Sequence, residues 1–125
     1  MLAALNYLDV YATNIGNTYL NVTFQENIWT ISGPEFGINK RIRMIIISAL
    51  YGLKISGALW RSILANTLGK DGLVYTSSEA KKDVWIKREV FPNGKTYYSM
   101  ILVYVDETMV VSKDTSTDIN YLENI

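Results

Sequence analysis

A long apolar segment near the C-terminus, interrupted by two adjacent acidic residues, constrains the fold more than any other feature. Met100–Val105 and Thr108–Val111 have the apolar composition of buried strands, and Asp106 and Glu107 separate them by the two residues of a tight hairpin. Asp-Glu is unfavourable in such a turn, and two like charges beside buried strands repel each other. The pair is therefore predicted to be a functional site on a hairpin, and a solvated hairpin tip is the alternative.

The remaining sequence has the pattern of one α+β domain over residues 1–125, with an antiparallel sheet covered on one face. The clearest helix has Ser56 as its predicted N-cap, repeats Trp60, Leu64 and Leu68 every four residues, and stops at Gly69. The apolar run Met44–Ile47 is typical of a buried strand. Before the acidic pair, strands are predicted over Leu5–Thr13, Glu26–Ile31, Met44–Ile47, Val84–Val90 and Lys95–Val105.

Two residue types are absent, and their absence excludes several kinds of site. The chain has no cysteine, which excludes a disulfide, a thiolate nucleophile and a cysteine-based zinc site. It has no histidine, which excludes a Ser-His-Asp triad and an imidazole base. A bound metal would have to be a hard ion held by carboxylates, which points to magnesium, manganese or calcium.

Charge and hydropathy bear on where in the cell the protein is expected and on whether it associates with membranes. Twelve basic and twelve acidic residues leave a net charge of zero, which gives no overall attraction to nucleic acid or to a membrane. The longest apolar run is too short to span a bilayer, and Met1–Leu5 lacks the basic start of a signal peptide. We therefore expect an intracellular protein that does not associate with membranes.

Three further segments are weaker candidates for binding. Asn14–Asn21 could let a ligand approach the backbone at a glycine, and is otherwise a plain turn. Leu50–Ser56 leads into the predicted helix, where backbone N–H groups could hold a phosphate, and is otherwise a connector. Lys40–Arg43 is a basic cluster that could contact phosphate, and is otherwise a solvated loop.

Taken in order, these segments resemble the reverse transcriptase of Ty1/copia-type retrotransposons. The resemblance runs from about Ala3 to Val111, and its most specific parts are Leu50–Lys54 with the downstream Trp60, and the Tyr104–Glu107 hairpin. The matching segments are Asn14–Asn21, Gly33–Gly37, Ala49–Lys54, Trp60, Asp83–Trp85 and Leu102–Glu107.

The resemblance implies a fold, an activity and a set of partners. The fold is an antiparallel palm sheet with helices packed on one face. The activity is RNA-directed DNA polymerisation, in which a primer 3′-hydroxyl is joined to the α-phosphate of a deoxynucleotide. Two Mg²⁺ (or Mn²⁺) ions held by three carboxylates carry this nucleotidyl transfer in the family. The implied partners are an RNA or DNA primer-template and deoxynucleotide triphosphates.

The implied catalytic positions are also the ones that depart from the family. Asp106 matches the first hairpin carboxylate, and Glu107, one methylene longer than the family's aspartate, stands at the second metal-binding position. Asn14 stands at the first catalytic carboxylate, where it keeps the shape and loses the negative charge. The resemblance covers the palm with an incomplete fingers region and no thumb. We therefore expect the chain to be inactive by itself.

Three other residues match the family's nucleotide-binding positions. Tyr19 matches the aromatic residue that packs beneath the sugar and excludes the ribose 2′-hydroxyl. Tyr51 and Gly52 match a loop that contacts the nucleotide and the template. Gly52 is expected to be required by an unusual backbone φ or by a close backbone approach.

Two alternative functions and one association remain as hypotheses. The chain could be an active polymerase module that works only after joining other segments. It could instead be a non-enzymatic module that binds nucleic acid or protein, to which Lys40, Arg41 and Arg43 contribute locally. Self-association is expected, because a palm sheet without its usual neighbours leaves Met44–Ile47 and Met100–Val105 less covered.

Overall fold

The computed structural model describes residues 7–16, 19–69 and 72–125. In chain order the strands are β1 (Asp9–Asn14), β2 (Thr23–Ile31), β3 (Arg43–Ser48), β4 (Thr76–Ser77), β5 (Val84–Val90), β6 (Thr96–Tyr104) and β7 (Glu107–Ser112). The helices are α1 (Lys54–Leu68) and α2 (Thr115–Glu123), and a 3-10 segment covers Pro34–Asn39. One sheet has the strand order β1-β7-β6-β5-β4, and β2 and β3 form a separate ribbon. The strands pair antiparallel throughout, which confirms the predicted α+β class.

One face of the five-stranded sheet carries the core. Trp85, Ile101 and Val110 lie directly opposite one another on the adjacent strands β5, β6 and β7, so their side chains share a face. All three are buried, and they belong to one cluster with residues of both helices, namely Trp60, Leu64, Leu68, Ile119 and Leu122. Both helices therefore pack on the same face, and the prediction of a sheet covered on one face is confirmed.

The opposite face of this sheet is open and partly apolar. Leu102 and Met109 lie opposite each other on β6 and β7, and both side chains are exposed. Tyr104 at the end of β6 is 77% exposed. The expectation that Met100–Val105 loses part of its cover is confirmed for Leu102 and Tyr104, whereas Ile101 and Val103 are buried on the helix-covered face.

Helix α1 confirms the predicted four-residue repeat but not its predicted cap. Trp60, Leu64 and Leu68 are buried, and the Gly69 N–H closes the helix on the Ala65 carbonyl. The predicted N-cap Ser56 is wrong, because the helix begins at Lys54 and Leu53 occupies the cap without a side-chain hydrogen bond. The buried Ser56 hydroxyl instead accepts a hydrogen bond of 3.2 Å from the Leu50 N–H. Ser56 therefore ties down the loop that precedes the helix.

The ribbon of β2 and β3 corrects the prediction for Met44–Ile47. Ile28 and Ile46 are paired and pack against the core, but Ile45 and Ile47 on β3 are exposed. Burial alternates along β3 because a two-stranded ribbon buries only one of its faces. The continuous apolar run is thus not a strand buried on both sides.

The first strand and the last helix differ from the sequence prediction. β1 begins at Asp9 and includes Asn14, which had been assigned to the following turn, while Met1–Asn6, Asn17 and Thr18 lie outside the described residues. Helix α2 was not predicted; its N-cap Asp114 accepts a hydrogen bond from the Thr117 N–H. Neither α1 nor α2, the α-helices of the described part, has the length and apolar character needed to cross a membrane.

Candidate functional site

The acidic hairpin is formed by Tyr104–Glu107, and its turn is shifted by one residue from the prediction. β6 ends at Tyr104 and β7 begins at Glu107, and these two residues are paired, so the turn consists of Val105 and Asp106. Val105 has φ of +57°, a conformation in which a β-branched residue is strained and glycine is preferred. The two-residue length is as predicted, but Glu107 belongs to the strand.

Asn14 lies next to this hairpin because β1 is the strand beside β7. The register of the two strands places Asn14 opposite Glu107, and the Ile15 N–H donates a hydrogen bond of 2.8 Å to the Asp106 carbonyl. Asn14 and Glu107 are therefore a non-hydrogen-bonded pair, in which opposed side chains share a face and approach closely. The structure thus brings together the three positions Asn14, Asp106 and Glu107.

Helix α1 supports the hairpin turn from the covered face of the sheet. The Trp60 indole N–H donates a hydrogen bond of 2.8 Å to the Val105 carbonyl, and Trp60 is 4% exposed. The bond fixes the strained residue of the turn relative to the helix. Trp60 is one of the residues that carry the resemblance, and this hydrogen bond gives it a structural role at the hairpin.

Tyr19 and Tyr51 form an aromatic pair, and Tyr19 also lies beside the hairpin. Their ring centroids are 4.5 Å apart, with the rings tilted by 48°. Tyr19 lines a cavity of about 260 Å³ together with Trp60, Tyr104 and Val105. The nucleotide-binding positions implied by the resemblance are thus adjacent to each other, and Tyr19 connects them to the hairpin.

Gly52 follows Tyr51 and has φ of +90°, in the left-handed region that favours glycine. A Cβ atom at this position would meet no atom within 4 Å. The predicted unusual φ is confirmed, and the alternative of a close backbone approach is wrong. Gly52 is therefore required for the backbone conformation of the loop before α1.

The open face of the sheet has a groove beside the acidic hairpin. Its volume is about 670 Å³, and its lining includes Asn14, Glu107, Leu102, Tyr104 and Met109. Asn14 and Glu107 stand at the polar end of a largely apolar surface. A ligand in this groove would meet the carboxylates of Glu107 and Asp83, the Lys81 ammonium, the Asn14 amide and exposed apolar side chains.

The donor set at the hairpin does not fit a site of three carboxylates. Searching the described residues finds no group of three or more acidic, histidine or cysteine side chains arranged to hold a metal ion. The oxygen donors present are two carboxylates, from Asp106 and Glu107, and the neutral amide of Asn14. Because charge dominates the binding of hard divalent ions, the amide does not replace the missing carboxylate.

A second group of ionisable residues, which the sequence analysis missed, lies on the covered face. We call it the polar cluster; its members are Tyr75, Lys87, Glu89, Tyr97 and Asp118. The Tyr75 hydroxyl donates a hydrogen bond of 2.9 Å to the Asp118 carboxylate, which is 4% exposed. The Lys87 ammonium lies 2.7 Å from one Glu89 oxygen, and the Tyr97 hydroxyl donates to the other.

The polar cluster shifts the acidities of its members in opposite directions. Burial raises the pKa of Asp118, although the hydrogen bond from Tyr75 partly offsets this effect. Burial also acts on Glu89, but hydrogen bonds from Lys87 and Tyr97 outweigh it, so its pKa is lowered. Burial and the bond to Glu89 raise the pKa of Tyr97 to about 12. These partners are internal, so the cluster connects α2 through Asp118 to the segment just before β4 through Tyr75.

One sequence signal could have indicated the polar cluster. Lys87 and Glu89 alternate with Trp85 along β5, so all three point to the covered face, where apolar residues are expected. Charged residues at such positions require partners. Lys87 and Glu89 pair with each other, Tyr97 donates to Glu89, and the Lys87 ammonium also lies 4.8 Å from the centroid of the Tyr75 ring.

The basic cluster lies on the β2–β3 ribbon rather than at the hairpin. The Arg43 guanidinium stacks over the Trp29 ring at 4.5 Å from the centroid, and Lys40 and Arg41 are exposed in the preceding turn. Trp29, Arg41 and Arg43 also line a cavity of about 310 Å³. The ribbon thus presents cations beside an exposed aromatic ring.

Four of the parts that carry the resemblance, namely Asn14 on β1, Tyr19 after it, Trp60 on α1 and the β6–β7 hairpin, meet at one end of the sheet. Their meeting point is the acidic hairpin. A comparison of the chain with protein-family models, with curated proteins and with solved structures finds no match in any of the three.

Proposed function

We propose that this chain is a catalytically inactive palm domain related to the RNA-directed DNA polymerases of Ty1/copia-type retrotransposons. The observation that supports the proposal is the position of Asn14, which lies opposite Glu107 and beside Asp106. These are the three positions at which the resemblance implies carboxylates. Asn14 is separated from the other two by more than ninety residues in the chain, and it meets them only through the pairing of β1 with β7.

The proposed inactivity follows from the charge at position 14. A two-metal nucleotidyl transfer relies on carboxylates to hold both ions, and electrostatic stabilisation is usually the largest catalytic contribution. Replacing one carboxylate by an amide removes one of three negative charges. The barrier is then higher by several kcal/mol, which corresponds to a rate that is lower by roughly a thousandfold or more.

The remaining donors set the expected metal binding. Asp106 and Glu107 are two carboxylates, and with the Asn14 amide they suit one hard cation such as Mg²⁺ or Mn²⁺, held weakly. The Asn14→Asp variant supplies the third charge on the same face as Glu107. We expect this variant to bind Mn²⁺ more tightly than the unmodified chain in isothermal titration calorimetry.

The matched control is Val90→Asp, which adds the same charge at an exposed position at the far end of β5. It should leave the Mn²⁺ affinity unchanged, whereas Asp106→Asn should weaken it. Equal affinities in the unmodified chain, Asn14→Asp and Asp106→Asn would show that these residues form no common site. Template-dependent incorporation of deoxynucleotides by the unmodified chain would contradict the proposed inactivity.

We propose a second candidate, a non-enzymatic module that binds single-stranded nucleic acid through the β2–β3 ribbon. The favouring observation is the stack of Arg43 on Trp29, beside the exposed Arg41. Aromatic rings and guanidinium planes stack on bases, and basic side chains pair with phosphates.

A salt titration with single-stranded RNA tests this second candidate. Trp29→Ala and Arg43→Ala should each weaken binding, whereas the control Arg88→Ala on β5 should leave it unchanged. Equal binding by all four proteins would exclude the ribbon.

A further inference from the structure

The outer edge of β1 presents main-chain hydrogen-bonding groups that the fold leaves unused. The register with β7, together with the bond from the Ile15 N–H to the Asp106 carbonyl, directs Tyr11 and Thr13 toward β7. In an antiparallel pair the alternate residues face away, so the N–H and C=O groups of Val10 and Ala12 point outward. Within the described residues no hydrogen bond uses these groups.

β1 has only one of the features that usually protect an edge strand, the charged Asp9 at its start. Its six residues include no lysine, no proline and no bulge, and Val10 and Tyr11 are 53% and 52% exposed. The opposite edge of the same sheet, β4, is only two residues long. The β2–β3 ribbon carries Arg43 at one end and has a register shift, both of which disfavour further pairing.

We propose that β1 pairs antiparallel with β1 of a second copy of this chain, about a two-fold axis that passes through Tyr11. Outward-facing residues must pair with outward-facing residues, which places Val10 opposite Ala12 of the second copy and Ala12 opposite its Val10. Each of these pairs exchanges two hydrogen bonds. Tyr11 then faces Tyr11 of the second copy in the non-hydrogen-bonded position on the axis.

The side chains of β1 favour its own copy as the partner. In this register Asp9 lies opposite Thr13, so no like charges meet, and the small Ala12 leaves room for Val10. The net charge of zero adds no repulsion between two chains. A two-fold axis closes the assembly, so a dimer forms rather than a fibre.

One strand pair buries less than the roughly 1,200–2,000 Å² of a stable interface, so the dimer is weak and concentration-dependent. Sedimentation equilibrium of the full chain, from low to high micromolar concentration, measures the fraction of dimer.

Two variants test the edge of β1. Ala12→Pro removes an outward N–H and no intrachain hydrogen bond, and Val10→Lys adds a charge to the edge. Both variants should be monomeric and should melt at the temperature of the unmodified chain. Val90→Lys, at an exposed site away from β1, should remain dimeric.

A cross-link tests the register, because the chain contains no other thiol. Cysteines in a non-hydrogen-bonded antiparallel pair have a Cα spacing that a disulfide accepts. Tyr11→Cys should therefore form a disulfide-linked dimer under mild oxidation. Tyr98→Cys, whose side chain is similarly exposed at 55%, should not.

Three results would overturn the proposal. The first is a monomer at every concentration. The second is association that survives Ala12→Pro and Val10→Lys, which would assign it to another surface such as the open face of the sheet. The third is equal cross-linking of Tyr11→Cys and Tyr98→Cys. None of these results bears on the metal-binding test of the proposed function, which uses other residues and another readout.

Discussion

The acidic hairpin and the polar cluster each contain two carboxylates, but the fold treats them in opposite ways. At the hairpin, the Ile15 N–H and the Trp60 indole N–H donate hydrogen bonds to backbone carbonyls, and the side chains of Asp106 and Glu107 have no side-chain partner among the described residues. In the polar cluster, Asp118 and Glu89 are bound by tyrosine hydroxyls. Carboxylates that are positioned by their backbone remain free for a ligand, whereas carboxylates held by side chains contribute to stability.

The largest expected effect is on the support of the hairpin. Trp60→Ala removes a buried aromatic side chain and the hydrogen bond to the Val105 carbonyl, and should cost about 3–5 kcal/mol in the free energy of unfolding. Trp60→Phe keeps much of the packing and should cost less. Urea unfolding measures both values. A loss of only about 0.5 kcal/mol for Trp60→Ala, as at an ordinary surface site, would mean that the hairpin does not depend on α1.

The next effect separates the two groups of carboxylates directly. Tyr75→Phe leaves the buried Asp118 without its donor and should destabilise the fold by about 1–3 kcal/mol. Asp106→Asn, at the hairpin, should change stability by no more than about 0.5 kcal/mol. Thermal unfolding of the two variants gives the comparison. Similar losses in both would show that the hairpin carboxylates also support the fold.

A smaller effect tests the strain in the hairpin turn. Val105→Gly and Val105→Ala both remove the two γ-methyl groups, but only glycine also lacks Cβ and is relaxed at a φ of +57°. The glycine variant should therefore be more stable than the alanine variant by about 1 kcal/mol. Chemical denaturation of both variants measures the difference. Equal stabilities would show that the backbone at position 105 carries no strain.

The smallest effect is a pH dependence of the free energy of unfolding that arises from the polar cluster. Since the pKa of Asp118 is raised in the fold, the folded state keeps a proton that the unfolded chain has released. This contribution is fully present below the ordinary aspartate pKa, about 3.9, and is lost as pH rises through the folded value. The stability of the unmodified chain relative to Asp118→Asn should therefore fall across that window.

Glu89 provides the internal control with the opposite sign. Its lowered pKa contributes stability above the ordinary glutamate pKa, and this contribution is lost as pH falls through the folded value. The stability of the unmodified chain relative to Glu89→Gln should therefore fall on acidification. Parallel pH profiles for Asp118→Asn and Glu89→Gln would contradict the assigned directions.

Much of the fold could be predicted because its signals are local. The alternating burial along β6 and the four-residue repeat of Trp60, Leu64 and Leu68 are readable from the chain, because one side of each element is buried. The positive φ at Gly52 was also predictable, since glycine reaches it without strain. The N-cap prediction for Ser56 was wrong because its hydroxyl, which lies inside the helix, accepts a hydrogen bond from the Leu50 N–H instead of capping the helix.

The candidate site was predictable in its members but not in its geometry. The two-residue spacing located the hairpin, yet the turn shifted to Val105 and Asp106, because the pairing of Tyr104 with Glu107 fixed the register. A shift of one residue moves every side chain of a strand to the other face. Local turn preferences alone could not determine this choice.

The sequence by itself determined several chemical limits of this protein: no cysteine or histidine that could bind a metal, a net charge of zero, and an amide where the resemblance implies a carboxylate. The tertiary structure alone decided which of these groups meet. It placed Asn14 opposite Glu107 and buried Asp118 against Tyr75, across separations of more than forty residues. The physical reason is that strand register and helix packing minimise the free energy of the whole core, and no short segment contains that information.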